Sequence, residues 1–440
     1  MSDTHRLTYS EAVAALTARG RFGVSMGLER VGRLMAEMGH PERNLRGVLV
    51  GGTNGKGSVV AMVRSVLGVA GFRVGTMPKP HLTSYRERIA VDGAPLTPSA
   101  FAAAIDRVIP ALDRVSADIG PPTEFEALTA AAITELAHRD VDVAIVEVGM
   151  GGRLDATNVL DLGVAAITNV QHDHEAYLGT TLAAIGGEKA PIIKEGNLAV
   201  TGARGRGLRP IVERCARLDV PLRRAGPRLP YDARVTSSNL DGIVVDAITP
   251  RRRLTDLRIG LLGPHQAANA AVALGVLDAL EDRWQVHVDD GAIRKGMAEA
   301  RWPGRLELLD GTPLGVGRVL LDGAHNPAGA AALAGALRDL GMQRPAIVFG
   351  AMRGKDVRGV LAALAPVAPR FVFTRVDDPG ALDPAEIATV WRRIGGPAAR
   401  VEPDPARAVG TAGGDPVVVA GSHYLVGAVR GMITGTSEQD

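Results

Sequence analysis

A glycine-rich segment between an apolar run and a helical pattern is the feature that most restricts how this chain folds. Residues 51–58 read Gly-Gly-Thr-Asn-Gly-Lys-Gly-Ser, after an apolar run at 47–50 and before an apolar stretch at 59–67 that suits a helix. Such a turn directs backbone N–H groups and the positive end of the helix dipole into one small volume. Lys56 adds a full charge, and Ser58 is placed to contact a phosphate or its Mg²⁺ ion. The segment therefore predicts a strand–loop–helix unit that binds a nucleoside triphosphate.

The match to the usual phosphate-loop pattern is incomplete at two positions. The pattern has glycine six residues before the lysine and Ser or Thr directly after it, whereas this chain has Val50 and Gly57 there. A glycine-rich turn that binds no ligand is therefore an alternative. We favour phosphate binding, because two glycines, a lysine and a serine rarely coincide in this context without a phosphate.

Short β-type runs alternate with longer helical runs, which is typical of doubly wound parallel α/β sheets. The predicted strands cover residues 142–148, 164–169, 317–322, 346–350, 370–374 and 416–420. The predicted helices cover residues 125–137, 327–340, 356–364 and 422–432. Antiparallel hairpins are predicted within residues 234–262. In sheets of the parallel kind, ligands bind at the carboxyl ends of the strands.

The chain has 440 residues, enough for two or three domains, and 46% of them are hydrophobic, which is ample for packed cores. The Pro303-Gly304 pair breaks regular structure between two α/β regions. We therefore predict an ATP-binding domain over residues 1–298 and a smaller C-terminal α/β domain over residues 299–440.

Charge and cysteine content restrict the partners and the compartment. The 50 Lys and Arg residues nearly balance the 48 Asp and Glu residues, so neither nucleic acid nor an anionic membrane is an expected partner. No uncharged apolar run is long enough to cross a membrane. Cys215 is the only cysteine, which fits a reducing compartment. We expect a cytoplasmic monomer.

A carboxylate stands near the end of the buried strand at 142–148. Glu147 is costly to bury at that position unless it meets a cation or several hydrogen-bond donors. The loop that follows, 149–158, is rich in glycine and polar side chains. Together they predict a site for Mg²⁺ beside a phosphate. The alternative is an ion pair between Glu147 and an arginine such as Arg153.

A second polar cluster, at 168–179, also follows a predicted strand. His172 and His174 alone would suggest a transition metal, but no nearby set of Cys and His residues completes a zinc site. A polar loop held by hydrogen bonds is the alternative. Lys189, near a predicted helix end, is by its local pattern an ordinary solvated lysine.

Taken in order, these and further motifs run through nearly the whole chain. They occupy residues 26–30, 52–58, 80–82, 123–126, 146–149, 153–158, 173–174, 178–180, 188–190, 265–269, 302–305 and 322–326. The strings Asp-Ala-Thr-Asn at 155–158 and Asp-Gly-Ala-His-Asn at 322–326 are the most specific of them. In this order and spacing the motifs resemble the folylpolyglutamate synthase/dihydrofolate synthase family of the Mur ligase superfamily.

The resemblance implies an ATP-dependent ligase with a phosphate-loop ATPase domain and a smaller Rossmann-like C-terminal domain. In the implied reaction, ATP phosphorylates the carboxylate of a folate-type acid, such as dihydropteroate or folate. The α-amine of glutamate then attacks the acyl phosphate, giving an amide, ADP and phosphate. Closure of the two domains would exclude water from the acyl phosphate. The implied cofactors are ATP and Mg²⁺.

The resemblance also assigns roles by position. The implied ATP-contacting residues are Thr53, Asn54, Gly55, Lys56, Gly57, Ser58, Asn269, Arg305, Asp322 and His325. The implied metal ligands are Ser58, Glu147, His174 and Lys189, the last as a carbamylated lysine. Lys56, His174 and Lys189 are the expected catalytic residues. The expected substrate-contacting residues are Lys79, His81, Arg153 and Asp155.

The chain departs from the family pattern at three positions. Lys79 stands where the family has a serine that helps to bind Mg²⁺, and a protonated lysine cannot coordinate a metal ion. Pro191 replaces a glycine beside Lys189, and Gly380 stands where the family has an arginine. These departures leave open a specialised relative that joins an amino acid to a non-folate carboxylic acid. A nucleotide-binding regulatory protein without turnover is a further alternative.

Overall fold

A computed structural model describes residues 7–20, 27–342, 344–368 and 370–436. Met26, the first residue of one motif named above, lies outside these ranges. Within the described part of the chain, no helix is both long and apolar enough to cross a membrane.

The N-terminal part of the chain is built on an eight-stranded sheet. Its strands are β1 (Gly47–Gly51), β2 (Val74–Met77), β3 (Ala90–Val91), β4 (Ala94–Pro95), β5 (Val143–Glu147), β6 (Gly163–Ile167), β7 (Leu198–Thr201) and β8 (Leu222–Arg224). They lie in the order β4-β3-β2-β5-β1-β6-β7-β8. All neighbours pair in parallel except the short hairpin strands β3 and β4, which add an antiparallel edge next to β2. The central strands are buried on both faces, which explains why their sequences are continuous apolar runs.

Helices cover both faces of this sheet. They are α1 (Tyr9–Thr17), α2 (Glu29–Glu37), α3 (Lys56–Val69), α4 (Pro98–Ile119), α5 (Glu124–His138), α6 (Glu175–Leu178), α7 (Leu182–Lys189), α8 (Gly205–Leu218), α9 (Gln266–Trp284) and α10 (Asp290–Glu299). Successive residues of β1 point to opposite faces. Leu49 belongs to the core shared with α4 and α5, whereas Val48 and Val50 belong to the core shared with α3 and α9.

A three-stranded antiparallel sheet adds to the second of these cores. It comprises β9 (Asp232–Asn239), β10 (Gly242–Ile248) and β11 (Arg253–Ile259), in the order β11-β10-β9. The turn between β9 and β10 lies at Leu240-Asp241, as the hairpin pattern predicts. Ile243, Val245 and Leu257 bury their side chains against α9 and its neighbours.

The C-terminal part has its own six-stranded sheet and its own helices. The strands are β12 (Arg305–Asp310), β13 (Arg318–Asp322), β14 (Ala346–Phe349), β15 (Arg370–Phe373), β16 (Arg400–Val401) and β17 (Val417–Ala420), in the order β12-β13-β17-β14-β15-β16. The helices are α11 (Pro327–Asp339), α12 (Val357–Leu364), α13 (Pro384–Arg393), α14 (Pro405–Ala412) and α15 (His423–Thr434). Only β12 runs antiparallel to its neighbour.

The predicted α/β architecture is confirmed. The strands and helices predicted with bounds lie within two residues of their expected ends, except that α3 begins at Lys56, three residues before the apolar stretch at 59–67. The first two sheets end at Ile259 and the third begins at Arg305, directly after the Pro-Gly pair. Consistent with this, α10 ends at Glu299. The division into domains at residues 298 and 299 remains a prediction.

Candidate active site

The glycine-rich loop connects β1 to α3 and is held by the loop that follows the adjacent strand β6. The N–H of Asn54 donates to Asn169 Oδ1 at 3.0 Å, and Thr168 Oγ1 donates to the Asn54 carbonyl at 2.6 Å. Gly55 has a φ of 82°, and a Cβ there would collide with Asn269 Oδ1. The loop shape therefore requires glycine at position 55 and places Asn269 of α9 against the loop.

Gly57 explains one of the two departures from the usual phosphate-loop pattern. A Cβ at this position would lie 2.6 Å from the indole ring of Trp302. The ring, from the segment that leads into the C-terminal sheet, thus takes the space that a Ser or Thr side chain would need. Ser58, one residue later, is buried at the start of α3.

Two lysines meet at one carbonyl of this loop. Lys56 Nζ donates to the Gly52 carbonyl at 3.2 Å and to that of Thr53 at 3.1 Å, and Lys189 Nζ donates to Gly52 at 3.1 Å. Lys189 is the last residue of α7 and is buried. The interpretation of Lys189 as an ordinary solvated lysine, based on its local pattern, is therefore wrong. Burial and the charge of Lys56 lower the pKa of Lys189 to about 7. A substantial neutral fraction near neutral pH follows for this amine.

Glu147 ends β5 and faces Lys56 from the neighbouring strand. Its Oε1 is 4.0 Å from Lys56 Nζ, and its Oε2 accepts a hydrogen bond from the Lys79 N–H at 3.1 Å. Burial raises the pKa of Glu147, while the charge of Lys56 opposes the shift. The alternative pair with Arg153 is not formed, because Arg153 is half-exposed and pairs with Glu188 at 2.9 Å.

Asp155 shapes the loop after β5. One carboxylate oxygen accepts from the N–H groups of Gly149 and Met150, both at 3.0 Å, and the other accepts from Thr157. Its Oδ1 is also 4.0 Å from Lys79 Nζ. The carboxylate is thus engaged in fixing the backbone around Glu147.

Lys79 is buried without a hydrogen-bond partner for its ammonium group. Nζ lies 3.1 Å from the centroid of the Phe125 ring, a cation–π contact. Burial lowers the pKa of Lys79 to about 8, and Asp155 opposes the shift.

Asp173 joins the N-terminal and C-terminal parts of the site. Its carboxylate accepts from Asn326 Nδ2 at 3.0 Å and from Lys355 Nζ at 3.3 Å, and it lies 3.8 Å from His325 Nε2. Burial alone would raise the pKa of Asp173, but His325 and Lys355 hold it well below its usual range. Burial and the charge of Lys355 lower the pKa of His174 to about 4, so its imidazole is neutral at neutral pH.

The start of the C-terminal sheet contributes Arg305 and Asp322. Asp322 accepts from the N–H groups of Leu306 and Ala324 at 3.0 and 2.9 Å, and burial raises its pKa. An Arg305 N–H lies 3.4 Å from His423 Nε2, which must accept because a guanidinium only donates. Burial and the charge of Arg305 keep the pKa of His423 well below its usual value, so the ring is neutral.

Two neighbouring cavities collect most of the expected residues. The first cavity, of about 250 Å³, is lined by Gly52–Gly57 together with Lys79, Glu147, His174, Lys189, Arg305 and His325. The second cavity, of about 430 Å³, is lined among others by Asn54, Gly55, Ser58, Asn269, Arg305, Asp322 and His325. Asn54, Gly55, Arg305 and His325 line both cavities, so a single elongated ligand can extend from one into the other.

Three expected substrate residues lie outside both cavities. Arg153 is engaged with Glu188, and Asp155 with the loop backbone. His81 Nδ1 accepts from Arg88 Nε at 2.9 Å, and its ring contacts that of Tyr85 at 4.3 Å between centroids. Their roles toward a substrate remain predictions.

Three further residues, Lys355, Asn326 and His423, complete the site from the C-terminal part. The sequence did not indicate a role for Lys355 or His423, and it marked Asn326 only as the end of the motif at 322–326. His423 begins α15 directly after β17, and Asn326 caps α11 after β13. The rule that parallel sheets bind ligands at strand carboxyl ends could have found these two. Lys355 lies in the loop between β14 and α12, so the same rule applies to it, although no motif marks this residue.

Among the described residues, no group of three or more His, Cys, Asp or Glu side chains is arranged to hold a metal ion by itself. Mg²⁺ at a nucleotide site needs only one or two protein carboxylates, since phosphates and water supply the remaining oxygens. Glu147, buried at the edge of the first cavity, fits that requirement.

Comparison with known proteins agrees with this site. The Mur ligase middle domain matches residues 50–277, and the Mur ligase glutamate ligase domain matches residues 304–423. Dihydrofolate synthase/folylpolyglutamate synthase of Bacillus subtilis is 37% identical over 85% of this chain and 86% of its own length. The fold and the site thus define an ATP-dependent ligase of the Mur type.

Solved structures show which group of Mur-type ligases this chain resembles. Folylpolyglutamate synthase of Mycobacterium tuberculosis complexed with ADP superposes with a TM-score of 0.88 at 34% identity, covering 97% of this chain and 98% of that one. The Escherichia coli enzyme in complex with DHPP and ADP has a TM-score of 0.85 at 30% identity, covering 98% of both chains. The chain belongs to the folylpolyglutamate synthase/dihydrofolate synthase family of Mur ligases.

Proposed function

We propose that this chain joins glutamate to a carboxylate of a folate-type acid, such as dihydropteroate or folate, in an ATP-dependent reaction. The observation that carries the proposal is the first cavity. There Lys56, Lys189 and Glu147 of the N-terminal part line the same space as Arg305 and His325 of the C-terminal part. Positive side chains from both parts suit phosphoryl transfer, in which positioning and charge neutralisation supply most of the catalysis.

The nucleotide would extend through both cavities. Its phosphates would accept hydrogen bonds from the loop N–H groups at residues 52–57 and pair with the charge of Lys56. The rest of the nucleotide would lie in the second cavity beside Asn269. In this arrangement the nucleotide would contact the four residues that line both cavities, Asn54, Gly55, Arg305 and His325. Arg305 and His325 would approach the phosphates from the C-terminal side.

The acid carboxylate would attack the γ-phosphorus, the bond to the β–γ bridging oxygen would break, and ADP would leave. The neutral amine of glutamate would then attack the carbonyl carbon of the acyl phosphate. A C–N bond forms, the C–O bond to phosphate breaks, and the amine loses a proton. An acyl phosphate hydrolyses in water, so Asp173, held by Asn326 and Lys355, would serve to keep the two parts closed around it.

Mg²⁺ would neutralise phosphate charge during transfer. Ser58, Glu147 and His174 are the residues that would hold it, and the neutral imidazole of His174 has a lone pair available for a metal ion. Lys189 would contribute as a carbamate. Carbamylation requires a neutral amine, and a pKa of about 7 supplies one.

The non-folate acid remains the second candidate because of two departures from the family pattern, Gly380 and Lys79, the buried ammonium group at the edge of the first cavity. The identities to folate enzymes over most of the chain favour the folate-type acid. We expect the compartment to be the cytoplasm and the active form to be a monomer.

A product-based assay tests the proposal. The full chain is incubated with ATP, Mg²⁺, glutamate and either dihydropteroate, tetrahydrofolate or a panel of unrelated carboxylic acids. ADP formation and the product mass are measured together. The expected result is ADP formation matched by a product one glutamyl unit heavier. ADP release without such a product, or a product only from an unrelated acid, would overturn the folate assignment.

A further inference from the structure

A third cavity, the arginine cavity, lies beside the first one. It has a volume of about 320 Å³ and is lined by arginines from four separate segments, Arg64, Arg86, Arg301 and Arg430. Lys79, Pro80, Arg305 and His423 line both this cavity and the first one. A ligand held in the arginine cavity can therefore present one end to the reacting phosphate.

The positive charge of this cavity is largely uncompensated. Within the described residues, Arg64, Arg86 and Arg301 form no ion pair, and only Arg430 does so, with Glu307 at 3.1 Å. The one carboxylate in the lining, Glu87, already accepts from the N–H groups of residues 82, 83 and 84 and from the Thr83 hydroxyl.

The guanidinium groups also keep unused donors. Arg64 donates to the Gly93 carbonyl at 3.2 Å and Arg86 to the Leu96 carbonyl at 3.2 Å, yet the Nε of each is buried without a partner. The Lys79 ammonium is likewise buried without a hydrogen-bond acceptor. Buried unpaired donors of this kind are costly, and a carboxylate that accepts from a guanidinium removes the cost.

Apart from a few hydroxyl-bearing residues, the rest of the lining includes a group of apolar side chains. These are Pro78, Leu82, Pro95, Trp302 and Pro303. A ligand that fits combines a short aliphatic chain with more than one carboxylate. Glutamyl groups have that composition, because each carries two methylene groups and at least one free carboxylate.

We propose that the arginine cavity binds glutamyl carboxylates, an inference that rests on the ligase function proposed above. Two sources present the same chemistry. Free glutamate would place its amine toward the first cavity, past Lys79 and His423. Alternatively, a γ-glutamyl tail already attached to the acid substrate would lie in the cavity and place its terminal carboxylate at the same junction.

The test compares arginine variants with a matched control. Arg64→Gln and Arg86→Gln each remove the guanidinium of a residue that lines the cavity. Arg294→Gln is the control, because Arg294 also donates to a single backbone carbonyl, that of Thr255 at 2.8 Å, but lies away from the cavity. Binding of free glutamate and of γ-linked triglutamate to the full chain is measured by calorimetry with ADP and Mg²⁺ present.

We expect Arg64→Gln and Arg86→Gln to weaken binding of at least one probe by about tenfold, as loss of a charge-assisted hydrogen bond would, while Arg294→Gln leaves both unchanged. In turnover, a raised KM for glutamate alone assigns the cavity to the incoming amino acid. A raised KM for a triglutamylated acid alone assigns it to the tail.

Affinities and KM values within twofold of the control in both variants would overturn the proposal. If either variant melts early, Arg301→Gln provides the same comparison, because Arg301 is exposed and its loss does not open a core. The calorimetric arm needs no turnover. A wild-type protein that binds triglutamate through these arginines but forms no amide would therefore contradict the ligase function and leave the cavity assignment standing.

Discussion

Lys56 and Lys189, which are 133 positions apart in the chain, both donate to the carbonyl oxygen of Gly52, at 3.2 and 3.1 Å. Two ammonium groups converge on one oxygen at the turn where the phosphate of a nucleotide is expected. Burial lowers the pKa of both lysines, and the charge of Lys56 lowers the pKa of Lys189 further. The arrangement makes the protonation of Lys189 sensitive to Lys56.

Replacing Lys56 with alanine should abolish most of the turnover. The change removes the charge expected to neutralise the transferring phosphate, with an expected loss on the order of 10²-fold or more in kcat. Steady-state kinetics with ADP detection gives the measurement, and circular dichroism confirms folding. Lys295→Ala is the control, since that lysine is solvated on α10. A well-folded variant with near-normal kcat would refute the phosphate-loop assignment.

Lys189 should make stability depend on pH. Its pKa is about 7 in the folded protein against 10.5 for an unperturbed lysine, so the unfolded chain binds more protons between these values. The unfolding free energy of wild type, relative to Lys189→Met, should therefore rise with pH over this window, by on the order of a few kcal/mol in total. Below pH 7 the full cost of burying the charge remains.

Urea unfolding of wild type and Lys189→Met at pH 7, 8 and 9 measures this difference. Lys295→Met again serves as the control, because its side chain is 65% exposed and should show no such trend. A constant difference between wild type and Lys189→Met across the series would show that Lys189 titrates normally.

Glu147→Gln should raise the Mg²⁺ concentration needed for activity. The substitution keeps the size of the side chain but removes the charge expected to hold the ion. Glu135→Gln is the control, because Glu135 is also buried but pairs with Arg107 and Arg139, away from the cavities. Superimposable Mg²⁺ titrations of wild type and Glu147→Gln would show that Glu147 is not a ligand of the metal ion.

Lys355→Ala should weaken the junction between the two parts of the site. It removes the ammonium group that donates a hydrogen bond to Asp173 at 3.3 Å. We expect kcat/KM for ATP to fall roughly tenfold, as expected for loss of a charge-assisted hydrogen bond, with the melting temperature little changed.

The fragment of residues 1–298 should have no ligase activity at all, and full activity from it would contradict a site assembled from both parts.

Lys79→Ser should shift either the Mg²⁺ requirement or the preference among acid substrates. The ammonium group lies over the Phe125 ring at the junction of the first cavity and the arginine cavity, so its removal changes the charge that meets a substrate. Mg²⁺ titrations and an acid panel are compared for wild type and variant. Identical Mg²⁺ titrations and identical acid preferences would show that Lys79 has no role in metal or substrate binding.

Much of the architecture was predictable because the local pattern determines it. Short apolar runs such as 143–146, placed between turn signals, are typical of strands buried on both faces, and the glycines around Lys56 mark the turn after β1. The placement of Glu147 and Asp173 at strand ends follows from the same rule. These features depend on residues close together in the sequence.

Burial and partner choice were less predictable, because they depend on residues far apart in the chain. Lys189 has a surface-like local pattern, but the glycine-rich loop covers it. Arg153 could have paired with Glu147, yet Glu188 lies nearer once α7 packs beside the loop. The unpaired charge of the arginine cavity arises only when four segments come together, so no single motif indicates it.

The contact between Gly57 and Trp302 makes the two positions a pair matched in size. A hydroxyl-bearing residue directly after the loop lysine would need the space of the indole ring. Relatives with Ser or Thr at position 57 should therefore carry a smaller side chain at position 302, and the Trp302→Ala variant should tolerate Gly57→Ser better than wild type does. The glycine after the loop lysine, which departs from the usual phosphate-loop pattern, is thus required by the segment that leads into the C-terminal sheet and packs against it.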